Sequence, residues 1–235
     1  LNRILVIQPT TTAWMYQNAS DSPDRLKQIG DTFFDLLMSF ERAQIEYDIG
    51  CENVMAGHGS VLANPAKGTE LIVGLRGYHT VVLPPLTETV SDKTMALLEE
   101  YLRKGGVLIS CGPAPALVDG RPSDRGAKLT KQPGWRQVEP AMASDVLTPT
   151  WGKDFLAIRR TPHDAGNLFH HRRRLADGEL LFLVNTSIES PTSGMIQTNA
   201  RSVEQWDLHT GAIGPYPFGK FQHAIECRFS LPPCG

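Results

Sequence analysis

Apolar positions along the chain fall into two regimes. In the first, short apolar runs alternate with longer amphipathic stretches. Arg3-Ile4-Leu5-Val6-Ile7-Gln8-Pro9 is a run closed by proline, the pattern of a strand buried on both faces of a parallel sheet. Ser22-Pro23 then supplies an N-cap and a first helical position. Leu26, Ile29, Phe33, Leu36, Leu37 and Phe40 follow at helical spacing, which predicts an amphipathic helix of about four turns. Residues 45–49 alternate apolar and polar, as a half-buried strand does. Residues 51–67 hold Gly57, Gly59 and the Asn64-Pro65 step, so mostly loop is expected there. Residues 70–73 and 79–83 are two further strands around an Arg76-Gly77 turn, the second closed by Pro84-Pro85.

Ser91 is a good N-cap, with Val90 and Met95 placed to form a hydrophobic staple. Met95, Leu98, Tyr101 and Leu102 share one helical face, and Gly105-Gly106 ends the helix through a left-handed cap. Residues 107–110 form another buried strand. The order β-α-β-β-α-β with short connections predicts a Rossmann-like α/β fold, a mostly parallel sheet with helices on both sides.

The second regime begins after about residue 112. Pro113, Pro115, Pro122, Pro133, Pro140 and Pro149 punctuate residues 113–150 without helical periodicity, which predicts loops, short strands and at most a helical turn. From residue 155 onward the pattern is β, with runs at 155–159, 168–175, 180–184, 195–198, 203–208 and 225–229. Asp177-Gly178 is a hairpin signal and residues 207–211 form a second tight reversal. The expected organisation is an α/β domain over residues 1–135 and an antiparallel, sandwich-like β domain over residues 136–235.

Composition narrows the partners. The chain has 235 residues, 41% hydrophobic and 20% charged, with a formal net charge of -2, so no global field draws it to nucleic acid or anionic lipid. No apolar run approaches the roughly 20 residues that span a bilayer. No nucleic-acid or membrane partner is therefore expected. The chain opens on an apolar strand without initiator Met or signal peptide and stops soon after a β run, which implies a piece of a longer polypeptide. Cys51, Cys111, Cys227 and Cys234 include no Cys-x-x-Cys pair and leave the redox compartment open.

In α/β sheets ligands gather at the carboxyl ends of the strands. Thr10, Thr11, Thr12, Trp14 and Tyr16 follow the first strand, Pro84 and Pro85 a later one, and Cys111-Gly112 the last. Cys111 is the one obvious nucleophile. In class I glutamine amidotransferase-like folds a cysteine occupies this corner within Gly-x-Cys-x-Gly, but Ile109 and Pro113 stand at both glycine positions here. Pro84-Pro85 has no N–H to offer an oxyanion. None of the seven histidines is followed two residues later by Glu, the pair that activates such a cysteine. Catalysis by Cys111 as a hydrolase or amidotransferase is therefore the weaker alternative to a small buried residue closing a strand.

Other chemistry is sparser still. There is no Walker loop, His-Glu-x-x-His helix or Gly-x-Gly-x-x-Gly turn, and no cofactor or metal is expected. His170-His171-Arg172-Arg173-Arg174 is the most basic stretch, yet strand alternation leaves only His170, Arg172 and Arg174 on one face, a salt-bridged strand rather than a binding patch. No acid–base pair stands out among the 25 acidic residues. Trp14 and Tyr16 are candidates for stacking on sugar in a carbohydrate-binding alternative, with Trp135, Trp151 and Trp206 more consistent with packing. Asn18-Ala19-Ser20 and Asn185-Thr186-Ser187 fit the glycosylation pattern.

Three segments together resemble the non-catalytic region of large bacterial glycoside hydrolases, chiefly family 106 α-L-rhamnosidases and more distantly family 42 β-galactosidases. They are residues 70–84 with the following helix and Gly105-Gly106-Val107-Leu108-Ile109; His171-Arg172 with residues 177–185; and Glu204-Gln205-Trp206-Asp207 with Thr210-Gly211. The resemblance implies a class I glutamine amidotransferase-like domain leading into a β-sandwich, both appended to an upstream catalytic barrel. It implies an accessory module whose partners are the other domains of the same polypeptide, a periplasmic or secreted location, and catalytic carboxylates that lie elsewhere.

Overall fold

The computed structural model describes residues 2–18, 22, 24–64, 68–147 and 155–235. The expected helix position at Pro23, the last two residues of the Asn18-Ala19-Ser20 motif and Trp151 lie outside them. The chain divides into two compact units, one of residues 2–40 with 46–146 and one of residues 41–45 with 147–235.

In chain order the first unit contains β1 (Ile4–Ile7), α1 (Thr10–Tyr16), α2 (Arg25–Arg42, its last two residues assigned to the second unit), β2 (Tyr47–Gly50), α3 (Glu52–His58), β3 (Gly59–Asn64), β4 (Gly68–Val73), β5 (Arg76–Tyr78), β6 (Thr80–Leu83), β7 (Thr89–Val90) and α4 (Asp92–Arg103). There follow β8 (Val107–Ser110), β9 (Leu117–Val118), β10 (Arg121–Pro122), α5 (Arg125–Leu129), β11 (Trp135–Gln137), a 3-10 turn (Pro140–Met142) and α6 (Ala143–Val146).

Five strands form one sheet in the order β11-β8-β6-β1-β2, every neighbouring pair parallel. Chain order reverses between β1 and β6, and that is where a parallel sheet opens a crevice at its carboxyl edge. The register aligns Leu5 with Val81 and Leu108, and Val6 with Val82 and Ile109. Both rows are buried, so the runs are apolar without alternation because each face is covered. Leu5, Ile7, Val81, Leu83 and Leu108 join Met95, Leu98, Tyr101 and Leu102 of α4 in the main core. Each such side chain contributes about 1.5–3 kcal/mol through burial.

The helix α4 follows its sequence signals closely. The Ser91 hydroxyl accepts from the Thr94 amide at 3.2 Å, and Val90 and Met95 are fully buried. At its far end Gly105 takes φ +88°. Gly106 lies against the Tyr101 ring so closely that a Cβ there would stand 2.5 Å from it.

Residues 51–67 depart from expectation. In place of a loop they form α3 and β3, and β3 pairs antiparallel with β4 from Gly59↔Val73 to Asn64↔Gly68. Pairing with a neighbour overrides the weak local propensity of Gly57 and Gly59. The following turn is Gly74-Leu75, with Gly74 at φ +58°, while Arg76 and Gly77 are in strand β5. Residues 113–147 also hold more helix than their prolines suggested, in α5 and α6.

The second unit contains β12 (Leu156–Arg160), β13 (Leu168–Arg174), β14 (Glu179–Asn185), β15 (Thr192–Thr198), β16 (Glu204–Trp206), β17 (Ile213–Pro215), β18 (Gly219–Phe221) and β19 (Ala224–Leu231). An antiparallel sheet runs β12-β15-β19-β18, beside the hairpins β13-β14 and β16-β17. Leu168, Ile196, Cys227 and Phe229 form its core, with Leu181 and Leu183 packed on. The basic strand β13 is ion-paired to its hairpin partner, with Arg172 at 3.3 Å and Arg174 at 3.7 Å from Glu179. Among the described residues no helix is long and apolar enough to cross a membrane.

Candidate functional site

The carboxyl edge of the parallel sheet, where β1, β6 and β8 end, is the place to look for chemistry. Cys111 follows β8 directly and is 2% exposed. Its amide donates to the Leu83 carbonyl at 2.9 Å, so the β6–β8 ladder continues through this residue and no strained elbow forms. Burial pushes its thiol up to about 12, against a free thiol near 8.5. Its sulfur has no hydrogen-bond partner among the described residues.

The histidines of this unit are His58 and His79. His79 precedes β6 in a register that sets Thr80 beside Val107, which places it about 16 Å from Cys111 along the strand direction. It faces Glu70 at 3.3 Å. The other half of the corner is Pro84-Pro85-Leu86, where both prolines lack N–H and Leu86 adopts φ 59°. Thr87 donates its hydroxyl to the Pro84 carbonyl at 2.8 Å. Pro84 and Pro85 thus offer no amide donor at the corner, and His79 stands too far from Cys111 to serve as its base.

Beside it, polar groups fill the crevice from within. The buried Glu52 carboxylate accepts from the Thr11 hydroxyl at 2.5 Å and the Ser91 amide at 2.6 Å. It thereby ties the starts of α1, α3 and α4 together. Thr12, fully buried, donates to the Thr89 carbonyl at 2.9 Å and accepts from the amides of Glu88 and Thr89 at 3.1 and 3.0 Å. Thr10 Oγ1 is buried without a partner among the described residues.

Glu88 accepts from the Tyr16 phenol at 2.6 Å and from Arg25, whose Nε lies at 3.0 Å. Desolvation pushes the Glu88 carboxyl up, but the bonds from Tyr16 and Arg25 and the Arg25 charge outweigh it and hold the group below its usual range. It is therefore ionised at neutral pH and has no proton to give. The bond to Glu88 raises the Tyr16 phenol. The Arg25 guanidinium also lies 5.9 Å from the centre of the Tyr16 ring.

Trp14 and Tyr16 are two apart on α1, about 200° around the helix, and do not make one platform. Trp14 is 57% exposed, whereas Tyr16 is engaged with Glu88 and Arg25. Sequence inspection passed over Glu52, Glu88 and Arg25, because their partners lie 39 to 72 residues away. No local spacing signals such pairs.

In the second unit Asn185 of the Asn185-Thr186-Ser187 motif is fully buried. Its amide nitrogen donates to Ser190 and Pro232 carbonyls at 2.8 and 2.9 Å, and its oxygen accepts from the Asn167 and Ser187 amides. The folded chain offers no acceptor nitrogen there. Among the described residues no group of three or more His, Cys, Asp or Glu side chains gathers as a metal site would require.

No protein-family profile matches the sequence, and no curated protein matches it. Solved structures do. The rhamnosidase from Novosphingobium sp. PP1Y matches over 82% of this chain and 19% of its own, at 17% identity and TM-score 0.56. The GH42 β-galactosidase Gan42B from G. stearothermophilus matches over 99% of this chain and 39% of its own, at 10% identity and TM-score 0.57. The exo-carrageenase GH42 from Bacteroides ovatus matches over 99% and 28%, at 10% identity and TM-score 0.53. The chain thus spans well under half of each of these proteins, and the likeness is one of fold: a mixed α/β arrangement that recurs as a segment of glycoside hydrolases.

Proposed function

We propose that this chain is a non-catalytic accessory module of a larger, rhamnosidase-like glycoside hydrolase, in which a Rossmann-like, class I glutamine amidotransferase-like domain leads into a β-rich, sandwich-like domain. Its partners on this reading are other domains of the same polypeptide, notably a catalytic barrel. Phe34 and Leu75, 61% and 104% exposed, are apolar side chains available for such contacts.

The observation that carries the reading is the state of Cys111. A buried thiol raised to about 12, continuing a strand ladder beside two prolines, has no thiolate to offer at neutral pH. The saturated carboxylates of Glu52 and Glu88 add support, since neither is free to act as acid, base or nucleophile on a glycosidic bond. The likeness in fold to segments of glycoside hydrolases supports the choice of parent class.

The test is an assay of the purified chain against aryl α-L-rhamnoside, aryl β-D-galactoside and L-glutamine. The expected result is no turnover above buffer. Turnover that disappears in Cys111→Ala would replace this reading with a cysteine hydrolase or amidotransferase.

A further inference from the structure

At its β18–β19 edge the four-stranded sheet of the second unit borders a groove that the core does not fill. Ile196, Cys227 and Phe229 belong to the core. Strand alternation therefore sets Met195 and Gln197 of β15, and Glu226 and Arg228 of β19, on the opposite face. The ladder pairs them as Met195↔Arg228 and Gln197↔Glu226. Met195, Glu226 and Arg228, with the core residue Cys227 and the segment 216–219, line an open groove of about 430 Å³, and Tyr216 of that segment also packs against the core. That volume is within the usual span of small-ligand sites, about 300–1,000 Å³.

The lining combines an apolar surface with two opposite charges. Phe218 is 44% exposed. The Tyr216 phenol donates to the Arg228 carbonyl at 2.7 Å, which fixes that ring. The exposed Arg228 guanidinium has no partner among the described residues. Glu226 receives one bond, from Gln197 Nε2 at 3.3 Å. Gln197 itself is 4% exposed and its Oε1 is buried without a partner among the described residues. Gly219, opposite Glu226 in the β18–β19 ladder, has open space where a Cβ would stand.

These features favour a ligand without net charge. An anion would meet Glu226, a cation would meet Arg228, and a purely apolar molecule would leave both charges without partners. A neutral polyhydroxylated ring satisfies all of them: an apolar C–H face for the aromatic surface, and hydroxyls that accept from Arg228 and donate to Glu226. We propose that this groove binds one uncharged pyranose unit between Phe218 and the Arg228–Glu226 pair. The inference goes beyond the accessory reading, because an accessory module with no sugar site satisfies that reading equally.

The test uses the full 235-residue chain with 13C-labelled methionine methyls, the Met195 resonance being assigned by Met195→Leu. Methyl α-L-rhamnopyranoside and methyl β-D-galactopyranoside are the probes, with glycerol and glucuronate as controls. A saturable shift of the Met195 methyl is expected from at least one pyranoside, with Kd on the order of 1 mM, and none of comparable size from either control. Phe218→Ala and Arg228→Gln should each weaken it at least tenfold. Gly219→Leu, which adds a side chain to open space within the lining and truncates none of it, should abolish it even if a truncation perturbs folding. No saturable shift from either pyranoside, an equal response to glycerol, or a shift that survives all three substitutions would overturn the proposal. A negative result here leaves the Cys111 argument standing, and turnover dependent on Cys111 would leave the groove standing.

Discussion

Cys111 donates its amide to the carbonyl of Leu83 at 2.9 Å, which makes the supposed nucleophile corner one more rung of a parallel ladder. A catalytic elbow would turn away at this point and expose its side chain. Here the thiol enters the interior, and the same backbone bond that stabilises the sheet keeps the sulfur from solvent.

Glu52 should be worth more to stability than its single charge suggests. Its carboxylate receives one hydroxyl and one amide while 4% exposed, and bonds to a charged group contribute about 1.5–3 kcal/mol. Glu52→Ala is expected to destabilise by roughly that amount or more, because Thr11 and the Ser91 amide lose their acceptor. Urea unfolding followed by tryptophan fluorescence measures it; a change below about 0.5 kcal/mol, the usual scale of surface substitutions, contradicts it.

The second unit should carry an acid-labile element at Asp164. Burial pushes this carboxyl up, but bonds from Arg160 at 2.9 Å, Thr192 at 2.7 Å and the amides of Ser193 and Gly166 hold it well below the usual carboxylate range. A depressed folded-state value means that the stabilisation is complete above the unfolded value, near pH 4, and is lost as pH falls below it. Between about pH 4 and pH 2 the stability of the wild-type protein should therefore fall more steeply than that of Asp164→Asn, by up to one proton, about 1.4 kcal/mol per pH unit. Urea midpoints across that range decide it. Parallel slopes would show that Asp164 does not titrate as described.

Two glycines should respond differently to the same change. A Cβ on Gly106 would meet the Tyr101 ring at 2.5 Å, whereas one on Gly178 meets nothing within 4 Å. Gly106→Ala is expected to cost about 1–3 kcal/mol through overpacking, and Gly178→Ala to fall within about 0.5 kcal/mol of neutral. Thermal midpoints of the two variants test the contrast.

Asn185 should remain unmodified when the chain passes through a glycosylating secretory host and folds. All of its amide hydrogen-bonding capacity toward the chain is engaged and it is fully buried. Peptide mapping by mass spectrometry should find the Asn185 peptide unglycosylated. Substantial occupancy there would mean that the end of β14 is not formed as described.

Legibility in the sequence followed how local the determining physics is. Residues 4–7 and 107–110 read as buried strands, and 80–83 as a strand, because both faces are covered and all positions but Thr80 and Ser110 are apolar. The helix α4 was legible from its cap, staple and terminal glycines, all within 16 residues of one another. The α3–β3 segment was not, since Gly57, Gly59 and Asn64-Pro65 signal a turn while β4 supplies the pairing from further along the chain. The absence of an elbow around Cys111 was visible in Ile109 and Pro113. The filling of the crevice by Glu52, Glu88 and Arg25 was not, because it depends on contacts across dozens of residues.

The most direct test of the central claim is the rate at which iodoacetamide modifies Cys111, followed by peptide mass spectrometry from pH 6 to 9 in the folded and urea-unfolded chain. Exposed Cys234 serves as the internal standard. The account predicts that native Cys111 reacts at least 100-fold more slowly than Cys234 across this range and at a comparable rate once unfolded. Rapid modification of native Cys111 at pH 6–7, ahead of Cys234, would reveal a preformed thiolate and contradict it.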